Sequence, residues 1–349
     1  MNASRNGTGT GPAKRTLDFL VIGAPKAGTT SLHHYLRTHP QIYLPPEKEA
    51  PFFSHDREFR QGWDRYLRST FDDAPSDRLW GKVTPWYMAG SPKREQGVSE
   101  PPAPGERLER VIPERIHSVL PDVKLIAILR DPVERCISNY RMLVKHGEAQ
   151  KSFDETTAEL LKPERLAATR IEDIPTNRYV VRGEYGRILQ GYFDVFPREQ
   201  ILVLFSADLE REPEKVVRQV LEHIGADPNF VPPNLGERYH KGGRRLRFPW
   251  LHPGKLENRL YENERVRGLW YRVPERSRER IYKRFRRFRF RVLHWNSVPE
   301  DEVEFPIGPG TIEALRRHYE EDGRLLRELI GSPLPWEQQT AGAAPAAPR

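Results

Sequence analysis

Cysteine is almost missing from this sequence: among 349 residues only Cys136 carries a thiol. A single cysteine excludes an internal disulfide, and its place within a helical pattern favours a buried, inert thiol over a nucleophile. Long apolar runs are missing too. No stretch approaches the roughly 20 apolar residues that cross a bilayer, and the amino terminus lacks the apolar segment of a secretory signal, so the sequence reads as a cytoplasmic protein. Acidic residues are outnumbered, with 49 Asp and Glu against 57 Lys and Arg, for a formal charge of +8. Such a surplus suits an anionic ligand and says nothing about fold.

The chain is long enough for one large α/β core or two modest ones, and the spacing of its motifs argues for one domain, residues 16–337. Residues 1–15 are small, polar and basic, and 338–349 are rich in Ala and Pro; both read as disordered tails. Residues 91–107, dense in Pro, Gly and charge, read as a mobile loop insertion. Residues 244–309 form a basic segment of their own.

What is present begins with Asp18 to Pro40. Phe19, Leu20, Val21 and Ile22 make the continuous apolar run of a parallel strand buried on both faces. Gly23 to Gly28 supply a tight turn, and Thr29, Thr30 and Ser31 open a helix whose unpaired amides and positive dipole end suit an anion. The common nucleotide loop GxxxxGK[ST] places lysine directly after its second glycine. Here that position is Thr29, and the lysine sits earlier, at Lys26.

A second strand-to-helix unit follows about a hundred residues later. Leu125 to Leu129 form an apolar run, Arg130 stands at its carboxyl end, Asp131-Pro132 starts a helix, and Ser138 lies about two turns along it. An arginine leaving a buried strand presents a planar fork matched to phosphate oxygens.

The displaced lysine with its following threonines resembles the 5′-phosphosulfate loop of sulfotransferases that use 3′-phosphoadenosine 5′-phosphosulfate (PAPS), and Arg130 with Ser138 resembles that family's 3′-phosphate motif. Lys48-Glu49-Ala50-Pro51-Phe52-Phe53 looks like the KExxFF element of the branch acting on heparan-type glycosaminoglycans and its bacterial relatives. Gly81 to Tyr87, with Lys82 and the pair Thr84-Pro85, resembles that branch's acceptor-side segment. Gly183-Glu184-Tyr185 and Phe196 to Phe205 match a later helix and strand. Lys241-Gly242-Gly243 resembles the basic glycine loop that closes on the nucleotide, and Trp336 the terminal tryptophan. The resemblance covers about residues 17–243 and 310–337.

It implies a P-loop-like sulfotransferase fold, α/β with a mostly parallel, roughly five-stranded central sheet flanked by helices, binding PAPS and releasing PAP at the strands' carboxyl ends. Cofactor-binding residues would be Lys26, Ala27, Gly28, Thr29, Thr30, Ser31, Arg130, Ser138, Lys241, Gly242 and Gly243. Glu49 would be the general base, Lys26 would stabilise the leaving oxygen, and Lys82 would lie beside the acceptor; His55 and His117 are reserve bases. This chemistry calls for no metal. The acceptor would be a glycan or a small molecule, with a carbohydrate ahead of a lipid, polyketide or peptide, sulfated on oxygen or nitrogen. Competing readings are a nucleotide kinase-like phosphotransferase, a non-catalytic anion-binding module, and a nucleic-acid-binding protein.

Arg276 to Arg291 holds nine Lys or Arg and one Glu, interleaved with Tyr282, Phe285, Phe288 and Phe290. Ile281, Phe285, Phe288 and Val292 recur at helical spacing, which suits a docking face with a solvated basic rim. Binding of an anionic acceptor, peripheral membrane contact and nucleic-acid contact are the alternatives; nucleic acid is not expected.

Overall fold

The computed structural model describes residues 16–94, 102–103, 105–145, 148–149, 151–171, 178–237, 239, 244–246, 292, 295, 297–299 and 305–340. Lys241 to Gly243 and Arg276 to Arg291 lie outside the described residues, as do both terminal segments, 1–15 and 341–349. The chain forms two compact units, residues 1–130, 186–237 and 325–349 in the first, 131–185 and 238–324 in the second.

The first unit is built on a five-stranded parallel sheet. Its strands are β1 (Phe19–Gly23), β2 (Ile42–Tyr43), β3 (Leu79–Val83), β4 (Lys124–Leu129) and β5 (Ile201–Phe205), in the order β2-β3-β1-β4-β5. All five residues of β1 are buried, as a strand paired on both sides and covered on both faces requires. The chain first goes from β1 to the edge at β2, returns to β3 beside β1, then crosses to the other side of β1 for β4 and β5. That reversal is a topological switch point, and ligands of open α/β sheets gather at the carboxyl ends of strands there. Helix α1 (Thr29–Leu36) leaves β1 at that end.

Other elements of this unit lock the sheet. Helix α4 (Leu108–Val119) follows the short α2 (Asp56–Arg60) and α3 (Trp63–Phe71), and delivers the chain to the amino end of β4. Phe52 and Phe53 anchor an aromatic group with Trp63 and Tyr66, ring centroids 4.9 to 5.7 Å apart. Ser91 and Pro92 are buried, and Lys93 exchanges backbone bonds with Ser54 and Asp56 at 2.7 and 3.0 Å, so the loop insertion at 91–107 starts anchored rather than loose.

The second unit contains α5 (Pro132–Lys145), α6 (Phe153–Leu160) and α7 (Pro163–Ile171). A capping box starts α6: Ser152 accepts from the Glu155 amide while Glu155 accepts from the Ser152 amide. Cys136, Tyr140, Phe153, Tyr179, Leu315 and Tyr319 form its core. Cys136 is fully buried, and burial pushes its thiol up to about 12, in keeping with an inert role. Helices α8 (Tyr185–Phe193), α9 (Ser206–Arg211) and α10 (Pro213–Ile224) belong to the first unit from residue 186 on; in the second, β6 (Arg244–Leu246) and β7 (Ser297–Pro299) pair antiparallel.

The long α11 (Pro309–Ile330) leads to α12 (Pro335–Thr340). In the first unit Trp336 packs edge-on to Phe205, at the end of β5, with centroids 5.6 Å apart. Because α12 continues to Thr340, the expected disordered tail from 338 is corrected: 338–340 are helical.

Candidate functional site

The cradle grows out of β1. The Ala24 amide donates to the Ile128 carbonyl of β4 at 2.7 Å, tying the loop's first residue to the neighbouring strand. Lys26 has φ 71, a left-handed conformation that costs a lysine about 1 kcal/mol or more and is concentrated at ligand-holding turns. Gly28, the N-cap of α1, has φ 98, and a Cβ there would meet Leu209 at 3.3 Å. Lacking a side chain, Gly28 gives the first turn of α1 no side-chain cap. Amides of Thr29, Thr30 and Ser31 thus open the helix behind two left-handed residues, the backbone form of an anion nest. Ala27 and Thr29 are buried, while Thr30 and Ser31 are half-buried.

Arg130 follows β4 at the same edge of the sheet and is half-buried. The β1–β4 register, with Gly23 opposite Ala127, brings both strand exits to one level, so Lys26 and Arg130 belong to adjacent loops. Ser138 stands half-buried on α5 in the second unit. There Asp131 caps α5, its carboxylate accepting from the Val133 amide at 2.7 Å and the Glu134 amide at 3.1 Å.

The segment from Glu47 to Ala50 lies against this cradle. The Lys48 ammonium donates to Thr30 Oγ1 at 2.9 Å and to Glu49 Oε1 at 3.2 Å, joining the first turn of α1 to the expected base. Glu49 Oε2 accepts from the Trp86 indole at 2.6 Å. Both carboxylate oxygens are therefore held, yet the Glu49 side chain remains 42% exposed.

Lys82 is 1% exposed, and its ammonium donates to the Glu47 carbonyl at 2.6 Å. Burial lowers its pKa from 10.5 to about 8, outweighing the carboxylates of Glu47 and Glu49. The Lys48 pKa is also lowered by burial, against the pull of Glu49. His33, 3% exposed on α1, is held down to about 3, first by burial and then by Arg37, His34, Lys48 and Lys82.

The reserve bases fare differently. His55 occupies the N-cap position of α2 without a side-chain cap bond, its ring 3.3 Å from the Ser54 hydroxyl. His117 is exposed near the end of α4, edge-on to Phe196 at 5.3 Å. Since α4 feeds the amino end of β4, His117 lies at the end of the parallel sheet opposite the cradle and is set aside as a base. Lys241, Gly242 and Gly243 lie outside the described residues. Upstream of them, Glu237 and Asn234 are held to α1 through Tyr35 at 2.8 Å and the His34 carbonyl at 3.3 Å.

Sequence reasoning missed two groups here. The hydrogen bond from Trp86 to Glu49 spans 37 positions and has no local signature. His33 is one of a pair of histidines on α1, and only packing shows that it is buried among cations.

A family model described as "Sulfotransferase domain" matches residues 16–241. A Drosophila melanogaster bifunctional heparan sulfate N-deacetylase/N-sulfotransferase is 29% identical over 220 residues, 60% of this chain and 20% of that protein. Human heparan sulfate glucosamine 3-O-sulfotransferase 6 is 27% identical over 220 residues, 62% of this chain and 54% of that protein. The matched stretch thus spans between a fifth and about half of these curated relatives. A solved sulfotransferase from Alicyclobacillus acidocaldarius superposes with a TM-score of 0.59 at 24% identity, covering 93% of this chain and all of the other, and shares the fold. With the lysine placement at Lys26 and the family match in agreement, the phosphotransferase reading gives way, and the chain belongs to the sulfotransferase domain family.

Proposed function

We propose that this chain transfers a sulfuryl group from PAPS to a hydroxyl or amine of a carbohydrate or natural-product acceptor, with Glu49 as general base. The observation that carries the reading is the hydrogen-bonded chain from Thr30 through Lys48 to Glu49, which places a solvent-facing carboxylate beside an anion cradle within one unit. The donor set fits the cofactor. A glycine N-cap without a side chain, a left-handed lysine and an arginine at the next strand exit are what a nucleotide with several anionic groups needs.

When bound, PAPS supplies an activated sulfuryl group carried on a phosphate. Lys26 and the amides of Gly28, Thr29 and Thr30 would hold that phosphate, and Lys26 would balance the charge that grows on its bridging oxygen. Arg130 would grip the 3′-phosphate with its planar fork. Glu49 would take the acceptor proton, and Lys48 would keep the carboxylate aligned with the cradle. Lys82, buried beneath Glu47, would act through the backbone of that segment rather than by meeting the acceptor itself. The relatives' names concern heparan sulfate, which keeps a carbohydrate acceptor in front. Among the described residues no helix is long and apolar enough to cross a membrane.

Calorimetric titration of the full chain with PAP, ATP and a polyanion, each with and without magnesium, tests the donor assignment. Tight, metal-independent preference for PAP is expected, whereas ATP binding as tightly as PAP would sink it. A mass-spectrometric screen for gain of sulfate across glycan and natural-product libraries then names the acceptor.

A further inference from the structure

Glu49 is held by two unlike donors. Lys48 reaches Oε1 along a flexible four-carbon stem and divides its ammonium between Glu49 and Thr30. Trp86 reaches Oε2 through a rigid indole with only two side-chain torsions, at the shorter distance of 2.6 Å. The backbone beneath the indole is fixed to the residue after Glu49. Trp86 lies in the 3-10 turn Pro85–Ala89, where the Tyr87 hydroxyl donates to the Ala50 carbonyl at 2.9 Å and the Thr84 hydroxyl to the same carbonyl at 3.4 Å. The turn is tied to the sheet as well: the Thr84 amide donates to Val21 at 2.9 Å, and Met88 fills the space where a Cβ on Gly23 would fall, 2.4 Å from its sulfur. Tyr192 closes the far side, its hydroxyl on the Tyr87 carbonyl at 2.8 Å.

A glutamate 42% exposed would ordinarily sample several rotamers, and a base that must meet an acceptor proton within hydrogen-bond reach loses rate with each misplaced one. Here the indole's anchor runs through Ala50, Val21 and Gly23, the strand exit that also carries the cradle.

We propose that Trp86 is a positioning residue for Glu49, its indole N–H fixing the carboxylate in register with the cradle, a role that rests on Glu49 being the base. Lys48 supplies charge and the link to Thr30; Trp86 supplies direction. The step it serves is simple in its balance. The acceptor O–H bond breaks, its proton goes to the Glu49 carboxylate, and the oxygen lone pair forms the bond to sulfur as the bond from sulfur to the phosphate oxygen breaks.

Two measurements on the full chain test this. Seven tryptophans give seven indole N–H resonances under nitrogen-15 labelling, and the one missing in Trp86→Phe identifies Trp86. That resonance should move upfield and exchange faster with water in Glu49→Ala; an unchanged resonance overturns the pairing. The second measurement is sulfate release from PAPS with water as acceptor, in wild type, Trp86→Phe, Glu49→Gln and the double variant. Trp86→Phe should lower kcat roughly ten- to a hundredfold with the KM for PAPS unchanged. In the Glu49→Gln background the same change should cost less than about twofold, because a residue acting through Glu49 has nothing left to position. An equal loss in both backgrounds marks a merely structural tryptophan and overturns the proposal. If Glu49→Gln itself releases sulfate at the wild-type rate, the base assignment fails and takes this role with it, while a Glu49→Gln loss without a Trp86→Phe loss removes Trp86 alone.

Discussion

Buried and half-buried charge is treated in opposite ways in the two units of this protein. In the first, Lys48 and Lys82 are held by a hydroxyl, a backbone carbonyl and an exposed carboxylate, and burial still lowers both ammonium pKa values. In the second, Glu184 is 3% exposed and met by the Arg170 guanidinium with two bonds at 3.0 and 2.8 Å, and the His318 ring lies 3.2 Å away. One region keeps positive charge at a cost that an arriving anion would relieve. The other satisfies its charge internally and gains fixed structure. Binding chemistry is therefore expected from the first cluster and stability from the second.

The sharpest break in that comparison is Glu49→Gln. Sulfuryl transfer should fall by about two to four orders of magnitude while PAP affinity holds and the melting temperature changes little, since the side-chain volume is kept, one of the two donors Lys48 and Trp86 still meets an oxygen, and the proton acceptor is removed. Near-normal turnover at saturating acceptor would show that Glu49 is not the base.

Next in size are the two proposed phosphate contacts. Arg130→Ala should weaken PAP roughly a hundredfold and adenosine 5′-phosphosulfate, which has no 3′-phosphate, much less. Equal losses for both ligands in the same titration would refute the assignment. Lys26→Ala should act mainly on kcat if the lysine stabilises the leaving oxygen, and mainly on affinity if it only binds ground-state charge.

For the second unit, Glu184→Gln should destabilise the fold by about 2 kcal/mol, since the buried partner of Arg170 and His318 is neutralised. Chemical denaturation measures this, and PAP affinity extrapolated to the folded fraction should stay the same. A loss of affinity without a loss of stability would reverse the division between the two regions.

The last effect is in pH. The folded state holds the Lys82 pKa near 8 against 10.5 for an ordinary lysine, so between those values the unfolded chain binds more protons and stability rises with pH. His33, held near 3 against 6.5, is the acid counterpart: stability is lost as pH falls from about 6.5 toward 3, where the unfolded chain takes up a proton that the folded state refuses. Urea unfolding across pH 4 to 10 should show both slopes. His33→Gln should flatten the acid one alone, and bound PAP should flatten the alkaline one by favouring protonated Lys82.

The strand, turn and helix from Phe19 to Leu36, and those around Arg130, were legible from residue order because their signals are local. A buried strand needs consecutive apolar residues, and the turn needs its glycines within a few positions. The tight turn that carries Lys26 and Gly28 was legible for the same reason. Tertiary structure decided what depends on distant partners. The order β2-β3-β1-β4-β5 is set by which strands find each other after long crossovers. That Lys82 is buried on the Glu47 carbonyl, that His33 sits among cations, and that Trp86 grips Glu49 across 37 positions all follow from packing between segments that composition and periodicity treat as independent. Residue types set which groups carry charge and protons; only the folded chain sets their burial and their partners, and with them the energies that separate a base from a surface glutamate.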